Sequence, residues 1–419
     1  MKRTAKIPLH PGLVTKFIFV WFLCGYSSFG QVMLHPGVLN SKPELEFVKD
    51  MVRSNQPPWK QAFEQLKSSK YSSLAYTPHP FKDVCCGSYN RPNIGCNEMV
   101  EDGMAAYSQS LMWYLTDDPR YKNKAIEIIN DWTFTYQTNT QSNSRLVVSW
   151  AVPWYVNAAE ILRYTPSGWK PDEVLDFSNL LTEKLLPYTT DDTMPGNNWV
   201  MSSIEAHMAI AIFTDNRPLF KSAVERWRFR VKTYIYETSD GPVPIASPGK
   251  TPHQMTGIWR NVSPGTVYVN GLGMETCRDL GHLMLGFRSL MYGGEYAWHQ
   301  GVDVFTPEQK RIHDFLELHA GWITGAQPVP KNISGGRLLL KPGSPMVSGE
   351  TKGYDLEIAY NHIGKRLGNR LPATRLMLTQ SRPESAHLWV SKWESLTHAE
   401  LPFLAIQTLD YNHPGKRGD

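Results

Sequence analysis

Cysteine is scarce in this chain. Five among 419 residues cannot frame a disulfide-built fold. Cys24 falls in an N-terminal leader, which leaves Cys85, Cys86, Cys96 and Cys277. A bridge from Cys85 or Cys86 to Cys96 would staple a single loop, and an exported protein permits one. The spacing fits no standard zinc pattern and no paired histidine stands nearby, so the sequence calls for no metal and no cofactor. A P-loop, a His-Glu-x-x-His helix and a Gly-x-Ser-x-Gly elbow are all missing as well. What remains is acid–base chemistry carried by side chains alone.

Long apolar runs are also missing. Phe17 to Gly25 is the longest near the N-terminus, and it falls well short of the ~20 residues that span a bilayer. Lys2, Arg3, Lys6 and Lys16 precede or open it, and Ser28-Phe29-Gly30 offers small residues where a signal peptidase reads. Residues 1–30 are therefore expected to be an export signal, and the protein to be secreted or periplasmic without stable membrane insertion. A retained single-pass anchor is the alternative reading.

Net charge nearly vanishes too. The chain has 43 Lys+Arg against 39 Asp+Glu, and the leader holds four of the basic residues and none of the acidic ones. The remainder balances, so no global field gathers nucleic acid or anionic lipid. Any grip on an acidic polymer has to come from a local cluster of Arg, Lys and polar groups.

What the sequence does have is helical periodicity. Met104, Tyr107, Leu111, Tyr114 and Leu115 recur at spacings of three and four, as do Tyr121, Ala125, Ile128, Ile129 and Trp132. The same pattern predicts helices over Leu45 to Met51, Trp59 to Leu66, Trp150 to Leu162, Val174 to Leu186 and Asn198 to Phe213. It continues over Phe220 to Tyr234, Met274 to Tyr292 and Ile312 to Ile323. Thr306-Pro307 reads as a helix start, a hydroxyl cap followed by proline. Only Arg337 to Leu340 suggests a strand. Ser239 to Gly273 is the longest irregular stretch, and a loop of that length inside a domain is usually functional. Many antiparallel helix pairs in one chain indicate an all-α fold, an (α/α) toroid or a bundle.

Three constellations carry candidate chemistry. In Pro195-Gly196-Asn197-Asn198-Trp199 a loop runs into a helix. Its amides suit sugar hydroxyls or a carboxylate, and Trp199 offers a flat apolar face. Either asparagine could equally be a plain N-cap. The long loop holds His253, Trp259, Arg260 and Tyr268: His and Tyr can move protons, and Arg can clasp a carboxylate. Lastly, Glu275, Arg278 and His282 share one face at helical spacing. Apolar Leu283, Leu285 and Phe287 follow at once, which argues for a half-buried segment rather than a surface ion pair. His207 is a candidate neighbour, or a core histidine.

Gly196-Asn197-Asn198-Trp199, then Asn270 through His282 (NGLGMETCRDLGH), then Glu295 through Asp303 (EYAWHQGVD) resembles the alginate-lyase-domain proteins. Within them it is most similar to the helical-toroid group that includes alginate and glucuronan lyases. Gly95-Cys96-Asn97-Glu98 and Trp393-Glu394-Ser395-Leu396-Thr397-His398 resemble that group too. The resemblance covers roughly residues 35 to 400. It implies an incomplete (α/α) toroid of antiparallel helix pairs over residues 31–400, with 401–419 as a tail. It also implies β-elimination on a uronic-acid polymer such as alginate, mannuronan or glucuronan. The family neutralises the uronate carboxylate, removes the C5 proton and protonates the departing O4.

By position, the resemblance makes Asn198 the neutralising amide and places His253 and Tyr268 where related lyases carry a His–Tyr pair. Arg278 and His282 match the helix that supplies an Arg or a Tyr. This chain has His282 where other alginate lyases have their catalytic Tyr, so Tyr268 is expected to be the acid, with Tyr292 and Tyr296 in reserve. Asn197, Trp199, His207, Trp259, Arg260 and Glu275 are expected to bind substrate. The alternatives are a glycoside hydrolase, drawing two carboxylates from Asp191, Asp192, Glu275 and Asp279, and an inactive carbohydrate-binding protein.

Overall fold

The computed structural model describes residues 33–190, 197–251, 254–255, 259, 268–329, 356–383 and 392–402. Two amphipathic helices open it, α1 (Lys42–Arg53) and α2 (Trp59–Ser68). A three-stranded sheet follows, of β1 (Asp83–Cys86), β2 (Asn93–Ile94) and β3 (Thr138–Thr140). β1 lies in the middle, antiparallel to β2 and parallel to β3. Strands of two to four residues leave too little alternation to register in the sequence. The strand suggested at Arg337 to Leu340 lies outside the described residues.

The body of the domain is a series of helices in which α3 (Cys96–Thr116) pairs with α4 (Pro119–Thr135) and α7 (Asn198–Phe213) with α8 (Arg217–Tyr234), while between them α5 (Ser144–Arg163) is followed by α6 (Pro171–Asn179), which packs on α4. α9 (Leu280–His299) and α10 (Gln309–Ile323) continue it. The short connections at Asp117-Asp118 and Thr214 to Asn216 turn each chain back on its partner. α3 packs on α5, α5 on α7 and α7 on α9, forming an inner row, while α4 and α8 back it from outside. Burial follows this division. α3, α5, α7 and α9 are buried nearly all round, whereas α4 buries one stripe of Ala125, Ile128, Ile129 and Trp132. This is the all-α toroid, built around one continuous apolar core.

The C-terminal part adds α11 (Glu357–Ala359), which runs into a π turn at Tyr360–Arg366, then α12 (Pro372–Ser381) and α13 (Glu394–Thr397). Where α9 crosses α7 the backbones come close. A Cβ on Gly286 would meet the Tyr234 ring and lie 3.1 Å from the Asn198 Cα, so only glycine fits. No helix among the described residues is long and apolar enough to cross a membrane.

Three sequence expectations shift in detail. The helix predicted over Val174 to Leu186 is α only to Asn179 and widens into a π turn over Leu180–Leu185. Thr306 does not cap a helix. It opens a 3-10 turn, and the Asp303 carboxylate accepts the Phe305 and Thr306 N–H groups. Residues 274–278 are turns rather than helix, because Asp279 is extended (φ −170°) and its carboxylate accepts the His282 N–H as the cap of α9. The cysteine alternatives resolve to Cys86–Cys96, with Cys85 and Cys277 outside any disulfide.

Candidate active site

Three of the inner helices begin at one open cleft of about 360 Å³. Its lining includes Asn143 at the start of α5, Asn197 at the start of α7, and Arg278 and His282 at the start of α9. Helix N-termini carry partial positive charge and orphan N–H groups, which suits an anionic ligand. Trp150, Trp199 and Leu146 supply apolar wall, and Ser88 and Tyr89 close the remaining side.

The α9 end holds a graded set of charges. The buried Glu275 carboxylate accepts the Asn198 backbone N–H at 3.0 Å and its side-chain amide at 2.9 Å. It also accepts Arg278 Nη1 at 2.9 Å. Glu275 thus stands behind the cleft and aims the guanidinium, which is 23% exposed, towards solvent. One residue on, Asp279 accepts His282 Nδ1 at 2.7 Å. This fixes the imidazole and leaves Nε2 without a protein partner among the described residues. Burial alone would raise the Asp279 carboxyl, but the two His282 hydrogen bonds and the nearby charges outweigh it and hold the group below the usual range.

Tyr89 sits in a tight turn. The Arg91 N–H donates to the Ser88 carbonyl, and Tyr89 and Asn90 both have positive φ, 55° and 57°. Asparagine tolerates this conformation; tyrosine pays a steric cost for it. The turn is held by the Cys86–Cys96 disulfide at its base and by Ser88 Oγ at 2.9 Å from Ser142 Oγ. The strained backbone presents a ring that is 91% exposed.

The residues expected from sequence divide sharply. Asn197, Trp199, Arg278 and His282 line the cleft together. Asn198 does not: it is fully buried and its amide is committed to Glu275, while Asn197 takes the lining position. Asn197 is also the N-cap of α7, its Oδ1 accepting the Trp199 N–H. Tyr268 lies outside the cleft lining. Its hydroxyl is buried without a partner among the described residues, its ring packs on Tyr236 and Trp259, and burial pushes the phenol up. Trp259 is 1% exposed and belongs to the core. His207 is the core histidine, with Nδ1 accepting from Arg226 at 2.9 Å.

The reserve tyrosines are interior as well. Tyr292 accepts the Lys392 N–H and Tyr296 donates to Glu205. His253 and Arg260 lie outside the described residues. Sequence reasoning passed over Ser88, Tyr89, Asn143 and Trp150, and counted Asp279 only as a hydrolase carboxylate. The turn signal at Asn90 and the Asp–x–x–His spacing were the available clues.

The hydrolase alternative needs two carboxylates facing one bond. Among the described lining residues there is none, since Glu275 is engaged behind the wall and Asp279 is held by His282. Asp191 and Asp192 lie outside the described residues.

Residues 90–245 match the alginate lyase family model. Over those residues the chain is similar to the alginate lyase domain. Polysaccharide lyase is the enzyme class that goes with it. Among solved structures, an alginate lyase from Bacteroides ovatus is similar at 13% identity and TM-score 0.55, covering 87% of this chain and 99% of that one. At that identity the likeness is one of fold. Alginate lyase A1-III from Sphingomonas species A1 aligns at 14% identity over 84% of this chain and 86% of its own, with TM-score 0.46. No curated protein matches. The matched stretch of the alginate lyase domain contains the Tyr89–Asn90 turn from Asn90 on, α5 and the Asn197-Asn198-Trp199 corner, and stops before Arg278 and His282.

Proposed function

We propose that the protein cleaves a uronic-acid polymer, of the alginate, mannuronan or glucuronan type, by β-elimination in the cleft at the start of α9. The observation that carries this reading is the Asp279–His282 pair standing beside Arg278 in a cleft with no carboxylate pair among its described lining residues. Arg278 and the Asn197 amide bind the substrate carboxylate and hold the charge that develops as C5 loses its proton. His282 Nε2 takes that proton, with Asp279 stabilising the imidazolium that forms. Electrons from the C5–H bond become the C4=C5 double bond as the C4–O4 bond breaks. Tyr89, the one tyrosine hydroxyl among the described lining residues, protonates the leaving O4. Trp150 and Trp199 stack the sugar faces. An N-terminal signal over residues 1–30 delivers the enzyme outside the cytoplasm.

The test is absorbance of the conjugated double bond with the full chain and a panel of polyuronates. A rise on one polymer, lowered ~10³-fold in His282→Ala without change in thermal stability, is the expected result. New saturated reducing ends without absorbance would instead make the protein a hydrolase. Binding without turnover would make it a carbohydrate-binding protein.

A further inference from the structure

The far end of α9 assembles a second set of titratable groups that the proposed reaction does not use. Glu295 and His299 lie one turn apart on α9, and Glu44 reaches them from the first turn of α1. His299 Nε2 is 3.0 Å from a Glu44 carboxylate oxygen and 3.4 Å from one of Glu295. The three donor atoms all lie within 4.8 Å of one another. The side chains are withdrawn from water, His299 at 1%, Glu295 at 5% and Glu44 at 14% exposure.

Each group is oriented from behind. His299 Nδ1 donates to the Val38 carbonyl at 2.7 Å, which turns Nε2 towards the carboxylates. Glu44 accepts the Ser41 N–H at 2.8 Å. The other Glu295 oxygen accepts from His362 Nε2 at 2.6 Å, and His362 Nδ1 accepts from Arg366 Nε at 3.1 Å. Metal-binding histidines and carboxylates are characteristically held by such outer partners.

We propose that Glu44, Glu295 and His299 bind one divalent transition-metal ion, with Zn²⁺ the best match. Two carboxylates and one imidazole are a zinc donor set, and tetrahedral bonds of ~2.0–2.1 Å put donors about 3.3 Å apart. The Nε2 separations of 3.0 and 3.4 Å bracket that edge. The ion ties α1 to α9 and, through His362, to the C-terminal segment. His282 and His299 are seventeen residues apart on α9, about 25 Å along the axis, so the ion takes no part in the cleft.

The experiment uses the full chain without an affinity tag, stripped by chelator and titrated with Zn²⁺, and in parallel with Co²⁺ for its tetrahedral absorption bands. The expected result is one equivalent bound, a rise in the unfolding temperature on zinc addition, and loss of both in Glu44→Gln and His299→Gln. Glu44 is the more exposed ligand, so Glu44→Gln keeps the test valid if His299→Gln does not fold. No stoichiometric zinc or cobalt on folded wild-type protein would overturn the proposal and leave a buried imidazolium between two carboxylates. Equal metal on the Glu44→Gln variant would overturn it as well, by placing the ion elsewhere. None of these readouts depends on lyase activity.

Discussion

At the first turn of α9, Asp279 holds a His282 side chain that is 41% exposed; at the last turn, Glu44 and Glu295 enclose a His299 that is 1% exposed. The same residue types meet at similar distances in both places. What differs is access to water and the number of carboxylates. One carboxylate behind an open ring leaves a nitrogen for substrate, so that end can exchange protons. Two carboxylates around a closed ring leave no room for a polymer, so that end holds the fold. A carboxylate–histidine pair is therefore not in itself a catalytic signature; its exposure decides what it does.

The comparison can be broken by neutralising one carboxylate at each end. Glu295→Gln should cost about 3–5 kcal/mol of stability, because it strips a buried network of its charge, and denaturant unfolding measures this directly. Substrate affinity of the surviving folded protein should be unchanged. Asp279→Asn should do the reverse, lowering kcat about 10²-fold, some 2.7 kcal/mol in the barrier, with nearly normal stability. If Asp279→Asn proved as destabilising as Glu295→Gln, the two ends would not differ in kind.

Two smaller effects sharpen the contrast. Cys86→Ser opens the loop that carries Tyr89 and should cost about 2–3 kcal/mol of stability, with a loss of activity that mild reduction of the wild type reproduces. Equal activity in the variant would remove Tyr89 from the mechanism. The smallest effect is at Asp303. Burial alone would raise its carboxyl, but hydrogen bonds from Arg366 and Thr306 outweigh this and hold it down to about 2. A carboxyl depressed in the folded state stabilises above its unfolded value of about 4. That contribution fades as pH falls through about 2. The difference in melting temperature between wild type and Asp303→Asn should therefore be largest near neutrality and shrink in acid; a constant difference would show that Arg366 gains nothing from the charge.

Much of the helical frame was legible because burial follows period. The stripe of Ala125, Ile128, Ile129 and Trp132 marks α4, and the unbroken apolar run of α7 marks an inner helix. The site was legible in part. Arg278 and His282, both polar residues against an apolar helix start, do line the cleft. Tyr268 and Asn198 do not line that cleft, because chemical aptitude says nothing about facing: Tyr268 packs on Trp259, and Asn198 turns inward to Glu275. Tyr89 gave no signal because a lone tyrosine in a loop has no period, and its place at the cleft rests on a left-handed turn.

The sequence by itself determined the all-α class, the helix pairs and the family resemblance, since these depend on local periodicity and contiguous motifs. Only the tertiary structure decided which asparagine faces the cleft, which tyrosine reaches it, and that Glu44 meets a histidine more than two hundred residues away. Those facts depend on side-chain direction and on the closing of the toroid, which bring distant segments together by packing.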